Sequence, residues 1–173
     1  MKPLLYLFVA LFSVASVLAK EEPTEITWDD LLPPEERQAN LAPLPDEEVV
    51  PLFEEQGNSQ DHTMPGMQTG SYKVVEELDG KLIRMPGFML PLEYAKGGMV
   101  SEFLLVPYFG ACIHVPPPPP NQIVYVISQK PIKAKGLWDP VWVTGKMSTK
   151  TNINDLGDAA YTLELTELEK YDE

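Results

Sequence analysis

Five consecutive prolines, residues 116–120, stand between two apolar runs and limit what this chain can fold into. Proline fixes φ at about −65° and has no backbone N–H to donate. The stretch can therefore be neither helix interior nor central strand. It reads as a stiff polyproline-type connector of about 3.1 Å per residue. The runs on either side, residues 100–108 and 122–128, are rich in Val, Leu, Ile, Phe and Tyr and read as strands. The chain holds 18 prolines in 173 residues, about twice the usual share, so long helices are not expected.

The rest of the chain after residue 70 follows the same pattern. Residues 72–77 form a short lead-in, and Asp79-Gly80 is a turn signal. Residues 81–92 make a first strand, with Pro86-Gly87 marking a bend or bulge. Residues 100–108 make a second. In the third, residues 122–128, Ile123, Tyr125 and Ile127 share one face and Val124 and Val126 the other, which indicates burial on both sides. Residues 129–140 read as a basic loop without helical pattern. Residues 141–147 make a fourth strand, with a glycine kink near its end. Tyr161, Leu163 and Leu165 alternate with Thr162, Glu164 and Thr166 in a half-buried fifth. The expected fold is all-β: a small five-stranded antiparallel barrel, OB-like, with a few-stranded sandwich as the alternative.

Upstream of the barrel the chain divides into a leader and an arm. Residues 1–19 read as a signal peptide: Lys2 precedes an apolar stretch, and Val17-Leu18-Ala19 offers a cleavage site after Ala19. The apolar stretch is short for a membrane span of about 20 residues. A periplasmic protein with no membrane span after cleavage is expected. Residues 20–70 read as an acidic, proline-rich arm and loop, and residues 71–173 as the barrel domain. Within the arm, Thr27 and Asp30 have capping-box spacing, which would place Trp28, Leu31 and Leu32 against the barrel. Pro34 can open a following helix, with Glu35 and Glu36 in its first turn.

Charge is unevenly spread. Residues 20–61 hold 13 acids and 2 bases, while the whole chain carries −13. Nucleic acids and anionic lipids need a basic footprint that this chain lacks. Cations or a basic protein surface would be attracted.

The single cysteine, Cys112, and one of the two histidines, His114, lie directly before the prolines. On an extended backbone, residues two apart point the same way. A thiolate and an imidazole so placed suit zinc, or copper(I) through the sulfur. They also suit a reactive cysteine whose pKa an imidazolium lowers. The plain alternative is a buried, inert thiol. Cys-x-His alone lacks the third and fourth ligands of a zinc site. His62, Met64, Met67, Met85, Met89 and Met99 could add soft ligands or simply fill core. Trp138, Trp142 and Tyr125 read as core or rim aromatics. Cys112 and His114 are thus the metal-site candidates. Tyr108, Pro116, Pro117, Pro118, Pro119, Pro120, Asn121 and Gln122 are the binding candidates. No hydrolase, zincin, P-loop or Rossmann motif is present, so no catalytic residue is nominated.

Several stretches together resemble an exported proteobacterial family of unknown function, DUF3299. They are Trp28-x-x-Leu31-x-Pro33, Asp79-Gly80-Lys81, Arg84-x-Pro86-Gly87-Phe88, Pro91-Leu92-Glu93, the run 102–114 ending Gly110-Ala111-Cys112-Ile113-His114, the prolines with Asn121-Gln122, and Pro140-Val141-Trp142-Val143. The resemblance implies a periplasmic accessory role in transition-metal homeostasis, zinc first. Its implied partners are an ABC transporter complex and a histidine-rich periplasmic protein. A second reading is an interaction module that docks the transporter through its proline segment, with Cys112 merely buried. A thiol enzyme using Cys112 and His114 is the third.

Overall fold

The computed structural model describes residues 22–41, 68–134 and 136–171. The leader, His62, Met64 and Met67 lie outside the described residues. The elements are β1 (Thr24–Glu25), α1 (Pro34–Leu41), β2 (Leu82–Pro91), β3 (Met99–Val106), β4 (Val124–Lys133), β5 (Asp139–Ser148) and β6 (Tyr161–Lys170). Short 3-10 turns occupy Trp28–Leu31, Glu76–Leu78 and Pro120–Gln122.

Strands β2, β3, β4, β6 and β5 adjoin in that order, and β5 pairs back onto β2, so the sheet closes. This is the OB-like five-stranded barrel that the strand pattern implies. It is mixed rather than purely antiparallel, because β4 and β6 run parallel from Val124↔Tyr161 to Ser128↔Leu165. The reason is parity. Directions cannot alternate all the way round an odd number of strands, so one junction must be parallel. The two-residue β1 adds a parallel sixth strand at Ile83 and Arg84 of β2.

Local sequence accounts for the details. Pro86 lies between the β1 pairing at Arg84 and the β3 pairing that starts at Phe88, so on that side no ladder needs its missing N–H. Strand β2 runs unbroken through Pro86-Gly87, where the sequence pointed to a bend. Gly87 is instead a point of close approach: a Cβ there would lie 2.7 Å from Leu105 Cγ and 2.9 Å from Trp28 Cζ2. The glycine kink expected in the fourth strand is present as a register shift between Thr144 and Gly145. A Cβ on Gly145 would lie 2.3 Å from the Glu164 carbonyl oxygen. The stretch read as a basic loop continues β4 as far as Lys133, where Ile132 and Lys133 pair with Val100 and Met99. Basic side chains are tolerated there because Lys130 and Lys133 both lie exposed at the end of the strand.

Two apolar clusters result from strand alternation. Ile83, Met85, Met89, Phe103, Leu105, Val124, Val126, Val143, Met147, Tyr161 and Leu163 come from all five barrel strands and fill the interior. Met85 and Met89 are therefore core filler. The intervening residues of β2, β3 and β4, Leu90, Leu104, Val106 and Tyr125 among them, form a second cluster on the outer face with Ile123 just before β4. This is the two-sided burial that the third strand's pattern required.

The arm seals one end of the interior. Thr27 and Asp30 form the capping box: the Asp30 carboxylate accepts from Thr27 N and Thr27 Oγ1, both at 2.8 Å. These bonds, the backbone one foremost, hold the Asp30 carboxyl below its usual pKa despite some desolvation. The turn drives Leu31 into the core, where it is fully buried, a burial that contributes about 1.5–3 kcal/mol. Tyr161 Oη then donates to the Leu31 carbonyl at 2.8 Å and accepts from Val75 N at 2.7 Å. We expect Tyr161→Phe to leave both backbone groups unpaired and to lower the urea-unfolding free energy by about 1–3 kcal/mol. An unchanged unfolding midpoint would show that the hydroxyl does not pin the arm.

Candidate functional site

The β3–β4 connection, residues 107–123, does not leave the barrel. It folds back over the outer apolar face. Gly110 takes φ 85° and Cys112 φ 67°, so residues 110–115 coil. His114 N donates to the Gly110 carbonyl at 2.9 Å. The extended backbone that would have aimed Cys112 and His114 to one side is absent, because a tight turn is needed to bring Ala111 and Cys112 onto the outer cluster.

Cys112 and His114 have different neighbours. The sulfur lies against Gly157, where a Cβ would sit 3.6 Å away, beside Ile123 and Pro117. His114 is exposed, and its ring lies on Trp138 at 5.0 Å between centroids. Burial pushes the thiol from its ordinary 9.0 up to about 11. That is the opposite of the shift an activated nucleophile or a ready zinc ligand needs. Among the described residues no group of three His, Cys, Asp or Glu could hold a metal ion. The described donors around Cys112 and His114 therefore do not fit a zinc or copper site by themselves.

The prolines form a support. Pro119 has φ −52° and ψ 149°, in the polyproline region. Without N–H groups, the rod is tied down through its carbonyls. Pro116 O accepts from Tyr108 Oη at 3.4 Å, Pro118 O from Gln68 Nε2 at 2.8 Å, Pro119 O from Gln122 N at 2.8 Å and Pro120 O from Ala160 N at 2.8 Å. Pro118 and Pro120 are buried, while Pro116 and Pro119 are exposed and Pro117 is half-buried. Asn121 and Gln122 turn the chain into β4. Asn121 Nδ2 donates to Glu36 Oε2 at 2.8 Å, and Gln122 Nε2 donates to the Trp28 carbonyl at 2.9 Å. The predicted binding residues thus join the loop to the arm.

Trp138 is the residue around which the loop is arranged. It has a left-handed φ of 55°, which costs a bulky residue about 1–2 kcal/mol. Its backbone N donates to the Met89 carbonyl at 2.8 Å and its Nε1 to the Ala111 carbonyl at 3.3 Å. Phe109 packs on its ring at 5.0 Å and on Phe88 at 6.4 Å. Phe109 is nevertheless 64% exposed. Ile113, Val115 and Leu137, close by in sequence, are exposed too, as is Tyr108. Sequence reading missed Phe109, Ile113 and Leu137 as site residues. The available signal was apolar side chains in a glycine- and proline-bounded loop, where solvent would favour polar ones.

The family model for DUF3299, a protein family of unknown function, matches residues 28–170. The chain belongs to the DUF3299 family. A crystal structure of a DUF3299 family protein from Pseudomonas aeruginosa PAO1 is similar, with 37% identity and a TM-score of 0.62. The match covers 88% of this chain and 98% of that one. No curated protein matches the chain. Membership fits the elements named above, since the matched span runs from the Trp28 turn to the end of β6.

In this DUF3299 protein the thiol's raised pKa has a measurable consequence. Between pH 9.0 and about 11 the unfolded chain releases the cysteine proton while the folded chain keeps it. Stability should fall across that window relative to Cys112→Ser, and this group should add no difference below it. Iodoacetamide reactivity should titrate with a midpoint near 11. A midpoint at or below 9.0 would show that the sulfur is not shielded.

Proposed function

We propose that this DUF3299 protein is a partner-docking module, and that its recognition surface is the apolar loop face around Phe109 and Trp138. One observation carries this reading. Of the nine exposed large hydrophobics among the described residues, Tyr108, Phe109, Ile113, Val115 and Leu137 belong to this one loop pair. Scattered apolar residues on a surface need no explanation, but a contiguous group does. Two further features support it. Cys112 and Trp138, the described non-glycine residues with left-handed backbone, both lie under this face, and strain of this kind gathers at functional sites. The proline rod, anchored through its carbonyls, holds the loop in one shape before binding, which lowers the entropy cost of docking.

This reading moves the contact surface from the prolines to the loop before them. The proposed partner is the ABC transporter complex that the family resemblance implies, met through its exported portion. The test uses the mature protein and the purified periplasmic domain of a MacB-like transporter. Phe109→Ser with Ile113→Ser should weaken binding by about tenfold or more, as loss of central apolar anchors does. The far-UV spectrum should stay unchanged. Pro116→Ala should bind as wild type. Equal binding by the double variant, or no binding by wild type, would overturn the proposal.

A further inference from the structure

A cavity of about 280 Å³ lies at the barrel surface where β2 lacks a neighbour on one side. Strand β1 pairs with β2 only as far as Arg84, and β3 takes over at Phe88. Trp28, in the turn after β1, and Pro107, just after β3, line the cavity with Pro86 and Phe88 of β2, Pro140 of β5 and Tyr171. We propose that this groove docks a proline-rich segment of a partner protein, in polyproline II conformation and flanked by a basic residue.

The lining has an unusual chemistry. Apart from Gly87, every residue in it carries an aromatic or a proline ring. Trp28 rests on Gly87, where a Cβ would lie 2.9 Å from its Cζ2. The polar side-chain atoms of these residues are Trp28 Nε1 and Tyr171 Oη. Neither makes a hydrogen bond to a described residue. Trp28 is half-buried, and its Nε1 is accessible rather than sealed in. An indole nitrogen donates and never accepts. The groove therefore suits a ligand that brings apolar rings and acceptors and few donors.

That requirement separates the occupants. The volume falls below the roughly 300–1,000 Å³ of small-molecule sites. An extended segment of ordinary residues would bring an N–H at each position, and these side chains offer them no acceptor but the tyrosine hydroxyl. A polyproline II segment has no N–H at its prolines, and its carbonyls have no internal partners. Its rings pack on aromatic walls, and it is already stiff before it binds. Charge sets the flank. Trp142 stacks on Tyr171 at 5.6 Å and has the Arg84 guanidinium 3.9 Å from its ring. Arg84 is shared by Glu25 at 3.0 Å and Glu169 at 3.1 Å. Two carboxylates on one guanidinium leave that end of the groove negative, and the chain as a whole carries −13. A Lys or Arg beside the prolines is attracted there, and an Asp or Glu is repelled. Phe88 also contacts Phe109, at 6.4 Å, so the groove adjoins the Phe109 face. It takes a different ligand and does not rest on that reading.

The test is a titration of the isotope-labelled mature protein with the acetylated, amidated peptide KPPLPPR, followed by NMR. Saturable shifts are expected at the Trp28 indole N–H and at the backbone amides of Gly87, Phe88 and Tyr171. The Trp138 indole, already bonded to the Ala111 carbonyl, should stay in place. The control peptides KAALAAR and EPPLPPE should each bind about tenfold more weakly, the first for lost stiffness and the second for reversed charge. Tyr171→Ala should weaken KPPLPPR binding by about tenfold, as loss of an aromatic anchor does, with the rest of the amide spectrum preserved. Absence of saturable shifts, equal binding of either control peptide, or shifts centred on the Phe109 loop would overturn the proposal. No transporter domain enters the measurement, so its outcome is independent of the Phe109 test.

Discussion

The Tyr161 hydroxyl sits between two backbone groups that are far apart in sequence, the Leu31 carbonyl and the Val75 N–H. Tyr161 itself is wholly buried at the start of β6. A single phenol thus ties the last barrel strand to the arm and to the segment that leads into β2. The arrangement works because each of those backbone groups is turned inward and would otherwise lack a partner. Desolvation, foremost, raises the hydroxyl's pKa and keeps it protonated as a donor. The rest of the site follows from this fixation. With Leu31 seated in the core, Trp28 reaches Gly87, and Glu36 comes within bonding distance of Ser71 and Asn121.

The outer apolar face of β2, β3 and β4 creates the second constraint. A barrel strand with apolar residues on both sides must be covered outside as well as inside. Here the cover is the β3–β4 loop, not a helix. A loop can cover a sheet only if its own polar backbone finds partners, and this one does so by two devices. Glycine and left-handed residues coil it around the Gly110 carbonyl, and five prolines remove N–H groups that would have needed satisfying. The apolar side chains left on the solvent side are a consequence of that construction.

Much of the architecture was legible because it depends on local pattern. The alternation at Tyr161, Leu163 and Leu165, the two-faced run at Ile123 to Val126, the capping spacing of Thr27 and Asp30 and the glycine at 145 each state a burial requirement that any fold must meet. The misreadings came where the answer depended on distant partners. Pro86-Gly87 read as a bend or bulge, yet the strand continues through it in unbroken register with β5, because β1 and β3 leave a gap beside Pro86 and Trp28 packs over Gly87. Residues 129–133 read as loop, yet they extend β4 because β3 is long enough to pair with them.

The order of amino acids alone determined an all-β barrel with an acidic arm, a rigid proline connector and a family membership, since periodicity, capping and proline geometry act over a few residues. Tertiary structure decided where Cys112 and His114 lie. Their spacing of two implies a shared direction only on extended backbone, and the need to cover the outer face coils that segment instead. It likewise decided that Asp29 and Glu36, remote in sequence from the prolines, would line one cavity with Pro118 and Pro119. That juxtaposition is produced by packing of the arm onto the barrel and has no signature in any local stretch of the chain.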